Sequence, residues 1–435
     1  ASGDESLARS ARLQLISMAE KKGNPEDAVR IYEEMLTSTT SGEDRERVLI
    51  RLANAYFKLD KFQQSIEAAQ QLIDLAVNSE SIANALFVQG NSLYKAGQFI
   101  PAIATYSKIT ENYPQIAWAK NAQFQIGVAY NKISAGGNID VLPSMSKAFK
   151  TYYTQYPDDD RAVHAHYYDA WAHYRMGKWR DASAIFEGLA KTFPASRYAS
   201  EALFRAGDAL FNMTNRGGSQ DKNQSFLEAM AFYDQLVERY PRSSHVDDAL
   251  YNKAWCLINL ERTVDAVPIF QQIVADHSDG TYGPRSQFTL GDYYYGLKEY
   301  DKARENYETF LELFPADKLT AQDRALPRKA KTLLGHLGEI DAYNLYSAGE
   351  KLFDEKNYDE AVKIFKEVQL KYPKSDQAVN SLVNIAAAYM AQEEYREAGA
   401  IFQEVVDNYG DNSKFLPQVD FAKQQLEAMQ EARVL

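Results

Sequence analysis

Small and aromatic residues recur along the chain in one arrangement. A small or apolar residue, here the anchor, is followed four positions later by an aromatic residue, and in six cases a Tyr-Pro or Phe-Pro pair ends twelve positions after the anchor. Residues at i and i+4 share one face of a helix, so the arrangement predicts amphipathic helices. Most successive anchors are 37 positions apart, and a fixed period of this size is typical of stacked helical repeats. The anchors are Ala28, Ser65, Ala102, Met145, Ala182, Ala229, Ala266, Ala303, Ala361 and Ala398.

A second small residue precedes each of the last nine anchors and marks a second helix. Glycine occupies this position five times, for example at Gly90 and Gly207, although glycine inside a helix costs about 1 kcal/mol relative to alanine. A recurring cost indicates a tight helix crossing. A turn signal follows, as at Gly97 and Gly177, where glycine ends the first helix. Each repeat is therefore predicted to consist of helix A, a short turn and helix B.

This pattern resembles the tetratricopeptide repeat (TPR) family over almost the whole chain. The third repeat carries the family's residue types at Leu86, Gly90, Leu93, Phe99, Ala102, Tyr106 and Pro114. The resemblance implies an all-α, right-handed superhelical solenoid of about ten helix-turn-helix repeats with a C-terminal capping helix. The segments Phe193–Ser196, Tyr240–Ser243 and Tyr372–Ser375 are similar to those of bacterial cell-envelope TPR proteins. These include the BamD-type outer-membrane assembly lipoproteins and the periplasmic coordinator of the Tol-Pal system.

Three longer spacings interrupt the period, and the largest divides the array. We predict eight repeats in residues 1–315, an insertion at 316–340 that is helical, two further repeats at 341–411 and a capping helix at 412–435. The insertion is either an extra helix or a long extension of helix A of the ninth repeat. In the seventh repeat, Pro268 falls inside helix B and should shorten or kink it.

Positive residues cluster within the insertion at Arg324, Arg328, Lys329 and Lys331. Two interpretations are open, a contact with an acidic partner and a plain solvated helix face.

The charge balance disfavours several classes of partner. The chain has 48 Lys and Arg against 60 Asp and Glu, a formal net charge of -12. Nucleic-acid binding requires clustered positive charge, and anionic lipid would repel this chain, so neither is expected. No run of about 18 apolar residues predicts a membrane-spanning helix. The first residues do not form a signal peptide, although loss of a lipid anchor from a longer form remains compatible with the sequence.

Catalytic and metal-binding patterns are not found in the sequence. There is no phosphate-binding glycine loop, nucleophile elbow or HExxH motif. His164, His166 and His173 occur in one predicted helix, and His166 and His173 could share a face, but these two occupy positions where other repeats place helix-packing residues. The single Cys256 permits no internal disulfide and is predicted to be a semi-buried apolar residue. We expect no enzymatic activity, no cofactor and no metal.

The resemblance implies that helix A lines the concave groove in which a partner binds. Residues three before, one after and four after the small residue of helix A should face this groove, and they form an aromatic ladder with polar residues between its rungs. Trp171 and Trp255 stand out, because most repeats carry a polar or small residue there. The phenylalanines could instead pack mainly between helices. The predicted partner-binding residues are Phe87, Asn91, Tyr94, Phe124, Tyr167, Trp171, Tyr174, Phe204, Asp208, Tyr251, Trp255, Phe288, Asp292 and Tyr295.

These observations favour a protein-binding scaffold of the bacterial envelope, periplasmic or associated with the outer membrane, that supports a multiprotein complex. Two alternatives stay open, a cytoplasmic TPR adaptor and a binder of peptidoglycan or another carbohydrate. A metal-dependent hydrolase is the weakest alternative.

Overall fold

The computed structural model describes residues 14, 25–38, 42–217 and 221–435, and over these residues the chain is helical with no strand. It divides into two compact units, residues 1–266 and 267–435. The predicted architecture of helix-turn-helix repeats is confirmed over the described residues.

In the first unit, successive helices pair as antiparallel hairpins. The helices are α1 (Pro25–Ser38), α2 (Gly42–Lys58), α3 (Phe62–Leu75), α4 (Ser79–Lys95), α5 (Phe99–Asn112), α6 (Ala117–Ala135), α7 (Leu142–Gln155), α8 (Ala162–Arg175), α9 (Trp179–Thr192), α10 (Ala199–Asn215), α11 (Lys222–Arg239) and α12 (Val246–Asn259). Helix A of the first predicted repeat lies outside the described residues, and the next five repeats form the hairpins α2–α3, α4–α5, α6–α7, α8–α9 and α10–α11.

The division between the units falls inside α13 (Thr263–Asp276). The second unit contains the hairpins α14–α15, α16–α17 and α18–α19, followed by a last helix that packs on α19. Its helices are α14 (Gly283–Gly296), α15 (Tyr300–Leu313), α16 (Leu326–Asp354), α17 (Tyr358–Lys371), α18 (Asp376–Ala391), α19 (Tyr395–Tyr409) and α20 (Leu416–Glu431).

Each of the five glycines at the small position of helix A lies directly against the aromatic ring of helix B in the same repeat. A Cβ atom built on Gly207 would lie 2.6 Å from a ring carbon of Tyr233, and the other four glycines meet their rings at 2.5–2.6 Å. The rings themselves are buried. The predicted tight crossing is therefore confirmed, because a side chain at these glycines would occupy the space of the ring. The pairs are Gly90–Tyr106, Gly127–Phe149, Gly207–Tyr233, Gly291–Tyr307 and Gly349–Phe365.

The turn between helices A and B has one left-handed residue in most repeats. Gly97 and Gly177 have φ angles of +79° and +73°, as a glycine that ends a helix requires. Non-glycine residues take the same conformation elsewhere, for example Lys298 with φ of 61°. The turn conformation is thus kept even where the sequence lacks glycine. The non-glycine members are Asp60, Glu261, Lys298, Lys356 and Glu393.

The 29-residue helix α16 belongs to two hydrophobic clusters of the second unit. Its first half contributes Ala330 and Leu337 to a cluster with the eighth repeat, including Tyr307. Its second half contributes Tyr346 and Phe353 to a cluster with the ninth repeat. The residues added between these repeats thus lengthen helix A, so that one helix packs on both neighbours.

Of the two effects predicted for Pro268, shortening of the helix does not occur. Helix α13 has 14 residues, the same length as α5 and α9, and Pro268 lies inside it. The carbonyl that Pro268 leaves without an amide partner belongs to Val264, which is 72% exposed. Because water can reach this residue, the helix can continue through the proline.

Candidate functional site

The predicted partner-binding residues occupy three rows on the helix A face. We define this face, within each repeat, as the residues three before, one after and four after the small residue of helix A. Each row has a different environment in the structure, and the rows therefore differ in how much surface they can offer.

The row three before the small residue packs inward against helix B. Phe204 and Phe288 are only 7% and 8% exposed, and their rings lie 6.1 and 5.5 Å from the rings of Tyr233 and Tyr307. These two phenylalanines stabilise their hairpins and offer almost no surface, because their side chains point at the aromatic residue of helix B. The same contact joins Phe87 to Tyr106, Phe124 to Phe149 and Tyr167 to Phe186.

The row four after the small residue is half-buried against the start of helix B. Tyr94 lies 5.3 Å from Phe99, and Tyr174 lies 4.8 Å from Trp179, both in edge-to-face geometry. Tyr295 makes a similar contact with Tyr300 at 6.0 Å. The rings of this row are therefore fixed by packing and remain partly exposed.

Polar residues of the middle row accept hydrogen bonds from tyrosines of helix B. Asn91 Oδ1 accepts from the Tyr106 hydroxyl at 2.7 Å, and Asp292 Oδ1 accepts from the Tyr307 hydroxyl at 2.6 Å. These two residues therefore help to hold their own repeats together.

Hydrogen bonds join the helix A faces of the fifth and sixth repeats. The Tyr174 hydroxyl donates to Asp208 Oδ2 at 2.6 Å, and Asn212 Nδ2 donates to both Tyr174 Oη and Asp208 Oδ1 at 3.1 Å. Nearby, the Tyr167 hydroxyl donates to Glu201 Oε1 at 2.7 Å. These bonds connect α8 to α10 and fix the spacing of the two helices.

Trp171 is held between an aromatic ring and a cation on this same surface. Its ring stacks on Tyr174 with a centroid distance of 5.2 Å and an interplanar angle of 7°. The Arg205 guanidinium carbon lies 5.4 Å from the centroid of the Trp171 ring, and Arg205 is 3.6 Å from Glu201 and 3.8 Å from Asp208. The half-buried indole is therefore pre-organised, which lowers the entropic cost of binding a partner.

The bonded residues beside Trp171 are here called the network: Tyr174, Glu201, Arg205, Asp208 and Asn212. The network keeps Tyr174 protonated. Burial raises the pKa of Tyr174, and the negative charge and hydrogen bond of Asp208 raise it further. Burial also raises the pKa of Asp208, against the opposing effects of the hydrogen bond from Tyr174 and the charge of Arg205. Tyr174 thus remains a hydrogen-bond donor throughout the physiological pH range.

Trp255 occupies the middle row two repeats further along the first unit. It is half-buried and lies 6.1 Å from Tyr251, with an interplanar angle of 66°. The two tryptophans therefore occupy equivalent positions on α8 and α12, with Asp208 of α10 at the equivalent position between them.

Three members of the network were not predicted from the sequence: Glu201, Arg205 and Asn212. A signal was available, because Tyr174 precedes Asp208 by 34 residues and Asn212 by 38, close to one repeat period. Polar residues separated by about one period lie on adjacent A helices and can bond to each other.

The histidines and the cysteine of the first unit are engaged in packing. His166 lies 3.7 Å from the ring of Tyr153, and burial lowers the pKa of His166. Burial raises the pKa of the Cys256 thiol to about 12, so this thiol is not a nucleophile at neutral pH. Within residues 25–38, 42–217 and 221–435, no group of three or more His, Cys, Asp and Glu is placed to hold a metal ion.

Of the helices that the structure describes, none has both the length and the apolar character that crossing a bilayer requires.

Family comparisons match most of the repeat array. Tetratricopeptide repeat models match residues 50–115, 165–196, 201–243, 248–280 and 284–317. The family YfiO, described as an outer membrane lipoprotein, matches residues 339–431. This last match begins near the middle of α16 and ends at the last residue of α20. A comparison with curated proteins gives no significant match.

Solved structures with similar folds share little sequence with this chain. The C-terminal part of a TPR repeat-containing protein from Cytophaga hutchinsonii is 17% identical, with a TM-score of 0.40, over 71% of this chain and 99% of its own. A tetratricopeptide repeat protein from Parabacteroides merdae is 10% identical, with a TM-score of 0.35, over 66% and 99%. MamA from Desulfovibrio magneticus is 16% identical, with a TM-score of 0.34, over 43% and 96%.

Proposed function

Because the chain is a tetratricopeptide repeat protein resembling the BamD-type proteins, we propose that it is a non-enzymatic scaffold. It binds a segment of another protein along the helix A face of its first unit. Repeat arrays of this kind present a long surface made from many small contacts, which suits an extended or helical segment.

The pre-organised Trp171 supports this assignment more than any other observation. Tryptophan residues that are fixed by their neighbours are common energetic centres of protein interfaces. Trp171 is held by Tyr174 and Arg205, while Trp255 repeats the position on α12. The proposed surface therefore consists of the middle and last rows of α8, α10 and α12, without the buried Phe204.

The similarity of residues 339–431 to an outer membrane lipoprotein family supports a place in the bacterial envelope. We place the protein in the periplasm or at the outer membrane, as one member of a multiprotein complex. Fractionation of the native host tests this: the full-length product should be released with the periplasmic or outer-membrane fraction. Recovery in the cytoplasm would instead favour a cytoplasmic adaptor.

Site-specific photocrosslinking in the native host tests the binding surface. A photoreactive amino acid at Trp255 should give a crosslinked product of discrete mass. The same amino acid at Ile100 of α5 or Leu370 of α17, which are 61% and 83% exposed on B helices, should not. Equal crosslinking at all three positions would contradict the assignment of the helix A face.

The double variant Trp171→Ala and Trp255→Ala provides the second arm. With the photoreactive residue placed at Ile258, in the last row of α12, this variant should lose most of the crosslinked product while keeping its helical circular dichroism. An unchanged yield would remove the two tryptophans from the surface. Sedimentation with purified sacculi distinguishes the peptidoglycan alternative, because a protein-binding surface gives no cosedimentation that depends on the tryptophans.

A further inference from the structure

Four exposed cations lie within eight consecutive positions, from the turn before α16 into the first turns of this helix. Arg324, Arg328, Lys329 and Lys331 are all exposed, in a chain whose formal net charge is -12. We call these four residues the basic patch. Such a local excess of positive charge runs against the charge of the whole chain.

The neighbouring carboxylate cannot neutralise the basic patch, because it is already bound. Asp323 is 2% exposed and accepts hydrogen bonds from Arg285 Nε and Thr320 Oγ1, both at 2.7 Å. Arg285 belongs to α14, so this interaction anchors the loop before α16 to the eighth repeat. Because the Asp323 carboxylate is paired with Arg285, it does not form an ion pair with the basic patch.

No carboxylate that the structure describes lies within the 4.0 Å of an ion pair from any of the four cations. Lys329 affects Asp292 only as a nearby charge: partial burial raises the pKa of Asp292, and the hydrogen bond from Tyr307 and the Lys329 charge oppose that rise. Exposed cations of other helices form ion pairs with carboxylates one turn away, as Lys371 does with Glu367. The basic patch has no such partner.

The helix face that carries the patch is open. Within α16, Arg328 and Lys331 are three residues apart, and Gly335 continues the same stripe four residues later, while Arg324 lies in the turn before the helix. A Cβ atom built on Gly335 would meet nothing within 4 Å. The opposite face, with Ala330 and Leu337, is buried against the eighth repeat. The patch therefore lies on a helix face with no partner within the second unit.

We propose that the basic patch of α16 binds an acidic segment of a partner protein. This inference does not depend on the proposed function, since the basic patch lies in the second unit, whereas the proposed binding surface consists of α8, α10 and α12 of the first unit. Charge complementarity indicates an acidic partner. A short acidic segment can contact the basic patch alone, because charges farther away than the Debye length, about 10 Å at 0.1 M salt, are largely screened. An anionic bilayer is an extended surface and would also face the acidic remainder of the chain, which it would repel.

A glutamate-rich peptide labelled with fluorescein serves as the probe, with fluorescence anisotropy as the readout. The full chain should bind it at about 0.05 M salt and lose it at about 0.5 M, as expected for screened charges. The variant Arg328→Glu with Lys331→Glu should bind at least fivefold more weakly. The milder Arg328→Gln with Lys331→Gln should fall between the two.

The control variant is Lys147→Glu with Lys150→Glu on α7. These lysines are also exposed and three residues apart on a helix, and their reversal changes the net charge by the same amount. The control should bind the peptide as the unchanged chain does. Equal loss in both variants, undiminished binding by the patch variant, or absence of peptide binding would each overturn the proposal. Patch-dependent binding to phosphatidylglycerol vesicles without peptide binding would overturn it in favour of a membrane.

Discussion

At the scale of single residues, the contact between the helix A glycine and the helix B ring explains why glycine recurs inside helices. The ring occupies the place of the missing side chain, with Tyr233 at 2.6 Å and the Ala229 carbonyl oxygen at 3.0 Å from a Cβ built on Gly207. Gly188 of α9 is also inside a helix, but a Cβ there would meet nothing within 4 Å. The two glycines therefore differ in whether neighbouring atoms fill the space that a side chain would occupy.

This difference predicts opposite effects of one substitution. Gly207→Ala should lower the free energy of unfolding by about 1 to 3 kcal/mol, because the added methyl group displaces the Tyr233 ring. Gly188→Ala should raise it by up to about 1 kcal/mol, because alanine favours the helix and meets no neighbour. Urea denaturation of both variants measures the effects, and stabilisation by both would refute the packing explanation.

Asp159, in the turn between α7 and α8, collects several donors. Its carboxylate lies 2.9 Å from Arg161 Nε and 2.8 Å from Lys120 Nζ, and it accepts from the Tyr152 hydroxyl at 2.6 Å. The hydrogen bond from Arg161, with those from Lys120 and Tyr152, holds the pKa of Asp159 well below its usual range, although desolvation opposes the shift. The charged carboxylate therefore stabilises the fold.

Asp159→Asn should lower the free energy of unfolding by about 1 to 2 kcal/mol at pH 7, since solvent screens part of the interaction. A carboxyl group with a lowered folded-state pKa stabilises above its unfolded-state pKa, about 4, and loses this effect as the pH falls through the folded-state pKa. The difference from the unchanged chain should thus be constant above about pH 5 and shrink below about pH 4.

The neighbouring Asp158→Asn is the control, because Asp158 is exposed and the substitution removes the same charge. Its stability should stay within about 0.5 kcal/mol of the unchanged chain. A difference between the Asp159 variant and the unchanged chain that grows as the pH falls would contradict the assigned sign.

At the scale of elements, the turn between helices A and B keeps its left-handed residue even without glycine. Lys298 has φ of 61°, and the Lys298 amide donates to the Tyr295 carbonyl at 3.0 Å. A residue with a Cβ atom is strained in this conformation by about 1 to 2 kcal/mol. The geometry persists because the helices on both sides are fixed by their packing.

Replacement of Lys298 by glycine should relieve this strain. Lys298→Gly should raise the free energy of unfolding by about 0.5 to 1 kcal/mol, after allowing for the greater freedom of glycine in the unfolded chain. Lys298→Ala removes the same charge but keeps a Cβ atom, so it should leave stability nearly unchanged. Equal effects of the two substitutions would show that charge, and not backbone strain, decides the outcome.

At the scale of the whole molecule, the described repeats within each unit pack on their neighbours, and the last repeat of the second unit is covered by α20. Val419, Ala422 and Met429 of this helix are 0–3% exposed and belong to one cluster with Phe402 and Val405 of α19. An array without such a cover exposes the apolar face of its terminal repeat.

Removal of residues 412–435 should therefore lower the thermal midpoint of the second unit. The amide protons of α18 and α19 should exchange faster, since their apolar contacts are lost, while exchange in α4 to α9 should stay unchanged. Hydrogen exchange with mass spectrometry on the full and shortened chains measures both. Uniform acceleration over the whole chain would contradict a local covering role.

The repeat period, the two-helix unit, the glycine crossings and the turns could all be predicted from the sequence. These features depend on residues at fixed offsets, and the same packing requirement recurs about ten times. A single exception, such as Ala69 at the position where other repeats carry the aromatic residue, therefore does not hide the pattern.

The tertiary structure alone decided which aromatic rings are exposed. Phe204 and Trp171 are both aromatic residues of the helix A face, yet Phe204 is buried while Trp171 is half-exposed between Tyr174 and Arg205. Exposure depends on what neighbouring helices place beside a ring, and those neighbours are about one period away in the sequence. The bond from Tyr174 to Asp208 and the anchoring of Asp323 by Arg285 arise in the same way, because each joins residues that only the packing of successive helices brings into contact.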